Sequence, residues 1–346
     1  MKLKKIILPV ASVVLLCGLF VGWTYVRDNR LGNFSGPAEF YVYPGMNSTD
    51  VFNALDTLTV IKHRRALLTV MSRKMVDRYI KPGFYRIDAG TTSVYLARML
   101  NNGWQSPVKL VIGGTLRNRD EIAAKIASQL LIGQEEVRAA FEDEQLLASY
   151  GFTPQNVFGL IMPDTYSCFW TASVKDILDL QKKAYDSFWN EERKLRAKEL
   201  GFTQMEVSIL ASIVKGETNY EPEMPKVAGV YENRLRRGML LQADPTIAFC
   251  FDYKVNRILF KHLAVDSPFN TYRHAGLPPA PIYVPTRACL DAVLYPDLGS
   301  PKPNLFFCAN PDFSGTHVFA ATISEHNRNA RAFHRALTAR RKANNR

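Results

Sequence analysis

Glu217 stands where an ordinary carboxylate does not belong. The run Val207–Thr218 is apolar at helical spacing, and Val214, Ile213 and Leu210 precede Glu217 by three, four and seven residues. Residues at those offsets share one helix face, so the glutamate continues a stripe that should face a core. Burial disfavours the ionised form and raises a carboxyl pKa. A carboxyl that keeps its proton near neutral pH can serve as a general acid. The structural alternative is a buried carboxylate neutralised by an arginine such as Arg234, because buried acids need partners. Glu221 and Glu223 flank Pro222 beyond the helix and read as solvated.

Three further polar clusters lie downstream. Asn233, Gln242, Asp244 and Thr246 are interleaved with apolar residues, Asn270 and Tyr272 open a second group, and His317 belongs to a third with His326. Amides, hydroxyls and rings suit a carbohydrate, which offers many hydroxyls and apolar C–H faces. Each residue also has a plainer reading. Asp244 starts a helix in Asp-Pro-Thr. Asn233 and Gln242 can satisfy loop backbone, Tyr272 can be core, and the histidines can be hydrogen-bonded structural groups. Nothing has metal-ligand spacing, and no phosphate-cradling or dinucleotide motif is present. No metal and no cofactor is expected.

The elements that must position these groups follow from periodicity. Three times a short strand leads through a glycine turn into an amphipathic helix: Phe40 towards Leu55, Phe84 towards Leu100, and Val108 towards Ala127. Helices are predicted over 134–149, 174–199, 227–237 and 324–340, and Thr203 caps the helix that carries Glu217. Pro222 and Pro225 stop that helix. Residues 266–286 form a long loop whose Tyr272, Leu277, Ile282 and Tyr283 argue for packed structure, and 305–309 with 317–320 read as a strand pair.

Ile6 to Val26 is an almost unbroken apolar run of 21 residues, which is the length of a bilayer span. Lys2, Lys4 and Lys5 precede it, so the N-terminus is expected in the cytoplasm and the body outside. The long apolar run, with no small-residue cleavage site after it, reads as an uncleaved signal anchor. The net charge is +12, but residues 1–30 hold five basic side chains against one acid, and residues 328–346 hold seven against none. The nearly neutral body excludes a nucleic-acid surface, and the basic ends suit either an anionic membrane or a solvated tail. Cys168, Cys250, Cys289 and Cys308 allow three full pairings, but their apolar settings favour buried thiols.

The motifs taken in order are those of a family. Leu210–Thr218, Pro225–Leu235, Gly238–Thr246, Asn270–Pro279, Gly315–Phe319 and Glu325–Asn327, with Met162–Tyr166 upstream, closely resemble the membrane-bound endolytic murein transglycosylases, or YceG-like family. The resemblance runs from the anchor to about residue 337. It implies non-hydrolytic cleavage of the MurNAc-GlcNAc bond in peptidoglycan glycan strands, leaving 1,6-anhydro-MurNAc ends and ending the elongation of nascent strands. It assigns the acid to Glu217 alone, since Lys215 and Gly216 stand where the family carries another glutamate and a lysine. Ala280, Val284 and Thr286 also depart from the family's proline loop. Gly216 either admits the glycan closely or is a tolerated helix glycine.

The fold implied is α+β: a stub and transmembrane signal anchor over 1–30, a LysM-like β/α module over 38–130, a mixed α+β catalytic domain over 131–340 and a basic tail over 341–346. Expected substrate contacts are Asn233, Gln242, Asp244, Thr246, Asn270, Tyr272 and His317. The expected setting is the cytoplasmic (inner) membrane, single-pass, with the catalytic domain periplasmic. The partners implied are peptidoglycan glycan strands and peptidoglycan synthases (penicillin-binding proteins). Two rivals stand beside this reading: a membrane-anchored peptidoglycan-binding scaffold without activity, and a hydrolytic muramidase.

Overall fold

The computed structural model of the chain describes residues 2–344, with side chains from Val10 to Ala343. Met1, the last two residues of the expected basic tail and the side chains of Lys2, Lys4 and Lys5 lie outside the described residues. Two compact units divide the chain: Met1–Leu110 with Ser167–Ala172, and Val111–Tyr166 with Ser173–Arg346.

The first unit opens with helix α1 (Lys2–Asn29), in which Val10–Asn29 is long and apolar enough to cross a membrane. Strands β1 (Ala38–Val42) and β2 (Gly83–Ile87) pair antiparallel with Phe40 opposite Tyr85. Ala38, Phe40 and Val42 point inward at the strand period of two. Helix α2 (Ser48–Leu58) starts at a capping box formed by Asn47 and Asp50. Helices α3 (Arg64–Arg73) and α4 (Val76–Tyr79) follow, and α5 (Ser93–Asn102) is capped by Thr92 and closed by the left-handed Gly103. The core gathers Phe34, Val51, Leu55, Leu67, Tyr85 and Leu100, all fully or almost fully buried. The third expected strand, β3 (Val108–Ile112), does not join this sheet; its neighbour is β4 (Asp164–Cys168).

The second unit is largely helical, with α6 (Arg119–Ala127) at its start. The helix expected over 134–149 is two pieces, α7 (Gln134–Ala140) and α8 (Glu144–Ser149), because Asp143 turns its carboxylate to the Leu146 amide. Likewise the long helix expected over 174–199 divides into α9 (Val174–Phe188) and α10 (Glu191–Leu200), with the Asn190 side chain accepting from the Arg193 amide. A side chain that satisfies the first amides of a new helix also ends the old one.

Helix α11 (Gln204–Glu217) is the centre of the unit. Thr203 and Glu206 form its capping box, and every residue from Val207 to Val214 is buried. Its end is set by Thr218, which turns extended, four residues before the proline expected to stop it. Around it pack α12 (Met224–Arg236), α13 (Asp244–Cys250) and α14 (Arg287–Leu294). Strands β5 (Phe306–Ala309) and β6 (His317–Ala320) form the expected pair, with Phe307 opposite Phe319. Helix α15 (Ile323–Asn344) runs beyond the stop expected near residue 340.

The loop over 266–286 has no strand or helix yet is packed: Asn270, Thr271, Ala280 and Ile282 are buried. The Ile282 amide donates to Ser212 Oγ of α11 (3.0 Å), and Tyr253 donates its hydroxyl to the Ile282 carbonyl. Glu223 corrects the expectation of a solvated side chain. It is buried and accepts from the His317 amide (2.7 Å) and pairs with His317 Nδ1 (2.8 Å), which ties the start of α12 to β6.

Candidate active site

Glu217 is the last residue of α11 and opens into a cavity of about 340 Å³. Its walls come from widely separated stretches. Tyr231 and Arg234 lie on α12, Gln242 precedes α13 and Asp244 begins it, Tyr272 comes from the long loop, Phe306 and Phe307 from β5, and Ile323 and His326 from α15. The buried length of α11 fixes where the glutamate stands, and the ring of Phe307 packs edge-on against Tyr231 at 5.9 Å between centroids.

The Glu217 carboxyl is pushed up from an ordinary 4.5 to about 7. Burial is the main cause. The Tyr231 hydroxyl, donating to Glu217 Oε1 at 2.5 Å, pulls the other way. The negative charge of Asp244 pushes up again, and the positive charge of Arg234 offsets part of this. A position in the last turn, at the negative end of the helix dipole, acts in the same direction as burial. The Tyr231 hydroxyl is itself raised well above its usual range by burial and by the neighbouring Glu217.

Arg234 is not the ion-pair partner weighed from the sequence. Its Nε donates to the Leu305 carbonyl (2.7 Å) and its Nη1 to the Leu241 carbonyl (2.6 Å), while the guanidinium lies over the Phe306 ring. No ion pair to Glu217 forms among the described residues. The arginine instead holds the Leu240–Leu241 loop and β5 together, and burial lowers its own pKa. His326 stacks on Phe306 at 5.5 Å, and burial together with the Arg234 charge lowers its pKa, which favours the neutral ring. Its buried Nδ1 has no hydrogen-bond partner.

Of the expected site residues, the structure brings Glu217, Gln242, Asp244 and Tyr272 to one cavity. Asp244 is the first residue of α13, behind an Ala243 cap, and its carboxylate accepts from the Tyr272 hydroxyl at 2.6 Å. Tyr272 is half-buried, and its hydroxyl is raised by burial and by that bond. Gln242 is exposed on a left-handed backbone (φ 52°).

The other four lie outside the cavity lining. The Asn233 amide donates to the Leu298 and Asn304 carbonyls (2.9 and 3.0 Å). Thr246 is fully buried and donates to the Ala243 carbonyl (2.7 Å). The Asn270 amide binds the Leu263 and Val265 carbonyls, and His317 binds Glu223. Their polar atoms are spent on backbone and on a neighbour, the plainer role that each residue type also allowed.

Sequence reasoning missed Tyr231 and the aromatic wall. The signal available was the three-residue spacing of Tyr231 and Arg234 on a helix that follows the glutamate. Gly216 also has a different task from admitting a glycan. A Cβ on it would sit 2.5 Å from Pro245 Cβ and 2.8 Å from the Tyr283 ring, so the missing side chain lets α13 and the long loop close against α11. Lys215 points elsewhere and donates to Asn219 at 2.6 Å. No cluster of metal-ligating side chains occurs among the described residues. Cys289 is a buried free thiol, Cys250 and Cys308 are half-buried and free, Cys17 is exposed on α1, and Cys168 is half-buried.

The chain is similar to proteins named endolytic murein transglycosylase. The one from Bacillus subtilis is 28% identical over 302 residues, covering 82% of this chain and 81% of the relative. One from Streptococcus pneumoniae is 24% identical, covering 91% of this chain but only 62% of that longer relative. The 2.6 Å crystal structure of a yceG-like protein from Listeria monocytogenes superposes with a TM-score of 0.53 at 25% identity, over 84% of this chain and 98% of that one. The YceG-like family model matches residues 40–332, and with its ordered motifs and its fold the chain belongs to the YceG-like family.

Proposed function

We propose that the chain is a membrane-anchored lytic transglycosylase of peptidoglycan, with Glu217 as its acid and then its base. The observation that carries this is a half-buried carboxyl at the head of a polar and aromatic cavity, with its pKa pushed up to about 7. The names of the relatives point to the same substrate. In this reading Glu217 gives its proton to the glycosidic oxygen between MurNAc and GlcNAc as the C1–O bond breaks. The resulting carboxylate takes the proton from the C6 hydroxyl of the same MurNAc, whose oxygen bonds to C1. Holding both reacting atoms in one bound sugar is a large effective-concentration gain. The product is a 1,6-anhydro-MurNAc end, and no water is consumed.

Tyr231 orients the carboxyl, and Asp244 sustains its protonation and faces the developing positive charge. Phe306, Phe307 and Tyr272 offer faces for sugar rings. Within this reading α1 crosses the cytoplasmic membrane with its N-terminus inside. The LysM-like module is the β/α part of the first unit, whose main stretch ends at Leu110, short of the expected residue 130, and the catalytic domain is the second unit, which carries Glu217. The substrate is nascent strand, cut to end elongation beside peptidoglycan synthases.

Asp244 also favours a second reading. Two carboxylates in one cavity suit a hydrolytic muramidase, which adds water at the anomeric carbon. Mass spectrometry of products from purified glycan strands separates the two, because anhydro ends weigh one water less than reducing ends. Glu217→Gln is expected to abolish cleavage while strand binding persists. Unchanged cleavage by that variant removes Glu217 from the mechanism, whereas binding without cleavage by the parent chain itself favours the scaffold.

A further inference from the structure

Helix α1 enters the first unit without a linker. Asp28, one residue from its end, is 2% exposed and pairs with Arg73 of α3 at 3.5 Å. Asn33, just past the helix, is buried; its amide group donates to Ser93 Oγ (3.0 Å), and its side-chain oxygen accepts from the His63 amide (2.7 Å). Gly32 lies so close to Ala89 that a Cβ there would fall 1.9 Å from the Ala89 carbonyl oxygen. The helix is thus fused to the unit, and its direction fixes which face of the unit turns back along α1.

The following rests on α1 being the membrane span. The apolar run Ile6–Val26 is 21 residues long, about 31 Å at the helical rise, which fills a hydrocarbon core of about 30 Å. Arg27 to Arg30 then lie in the headgroup layer, which is roughly 5–7 Å deep on each side. Side chains that pair with Asp28 or line one cavity with Asn29 lie close to that depth. These are Arg73, and Val94, Tyr95 and Arg98 of α5, which share a cavity of about 460 Å³ with Asn29. Tyr95 and Arg98 are exposed, and so is Trp104, whose ring lies 5.8 Å from that of Tyr95. The acids nearby are Asp28, already paired, and Asp88, exposed on the rim of that cavity. Cations with exposed tyrosine and tryptophan at headgroup depth are the chemistry of a membrane-interface contact.

We infer that the face of the first unit carrying Arg30, Arg73, Tyr95, Arg98 and Trp104 docks on the headgroups of anionic phospholipid around the exit of α1. The unit is held down on the bilayer and does not swing above it.

The full chain in nanodiscs tests this. The Trp104 share of the fluorescence is the wild-type signal less that of Trp104→Phe. Lipid carrying a nitroxide on its headgroup should quench that share in phosphatidylcholine discs containing phosphatidylglycerol. Arg30 and Arg98 form no ion pair among the described residues, so Arg30→Glu with Arg98→Glu leaves the fold in place. That double variant should lower the docked-to-undocked ratio by at least roughly fivefold for each positive charge removed, whereas Arg30→Lys with Arg98→Lys should keep it at the parent value. If acyl-chain nitroxide quenches the Trp23 share while Trp104 is untouched by the headgroup label, docking is overturned and the span stands. If neither tryptophan is quenched, the span fails and docking with it. Equal Trp104 quenching without phosphatidylglycerol, unmoved by charge reversal, overturns anionic lipid as the partner.

Discussion

The Tyr231 hydroxyl donates to the Glu217 carboxyl at 2.5 Å, from a helix that starts only after the glutamate's own helix has ended. This bond favours the ionised carboxylate and so restrains the rise that burial imposes. Tyr231→Phe removes it. The alkaline limb of the pH–rate profile should then move up by up to about one pH unit, the value of one hydrogen bond of about 1 kcal/mol. The rate at the optimum should fall roughly tenfold as the carboxyl loses its orientation. Release of strand fragments measured from pH 5 to 9 reads both effects, and an unmoved limb would separate Tyr231 from the acid.

Asp244 should act in the opposite sense. Its charge raises the Glu217 pKa, so Asp244→Asn should move the alkaline limb down in pH, while the bond from Tyr272 can still form to the amide oxygen. The two variants together distinguish electrostatic tuning from general damage, which would shift no limb in a chosen direction.

Protonation of Glu217 also couples to folding. Its folded pKa of about 7 lies above the ordinary 4.5. The ionised form is therefore the one penalised in the folded state, and the stability held below about pH 4.5 is lost as pH rises through about 7. Glu217→Gln cannot ionise. It should be more stable than the parent chain at pH 8, by on the order of 1–3 kcal/mol, and close to it at pH 4.5. Urea unfolding at the two pH values checks the sign.

Gly216→Ala places a methyl group 2.5 Å from a proline ring carbon. Alanine gains about 1 kcal/mol of helix propensity over glycine, but overpacking against a rigid ring costs about 1–3 kcal/mol. The net effect should be lower stability, seen as a lower Tm. Displacement of Pro245 should also shift Asp244, so cleavage should fall more than binding. An alanine variant of equal Tm and full activity would show that α13 can retreat freely.

Much of the second unit was legible because local chemistry and tertiary need agree there. Thr203 announces α11, the stripe Leu210–Ile213–Val214 points Glu217 inward, and the largely apolar runs at 305–309 and 317–320 pair as expected. The breaks at Asp143 and Asn190 were hidden, since amphipathic periodicity continues across both and only the direction of one side chain decides. Glu223 read as solvated beside Pro222, because its partner His317 lies 94 residues away. The split among the polar clusters has the same origin. Spacing shows that Asn233, Thr246 and Asn270 need hydrogen bonds, but whether a carbonyl or a ligand supplies them depends on loops that meet only in the folded chain.

The acid is at residue 217, yet Phe306, Phe307, Ile323 and His326 complete its surroundings. A chain made only as far as residue 300 already carries the glutamate but not these side chains. Solvent on that side would weaken the burial that raises the Glu217 pKa. The residues beyond 305 therefore complete the site that α11 begins, and the acid's surroundings exist only once that part of the chain has folded back on it.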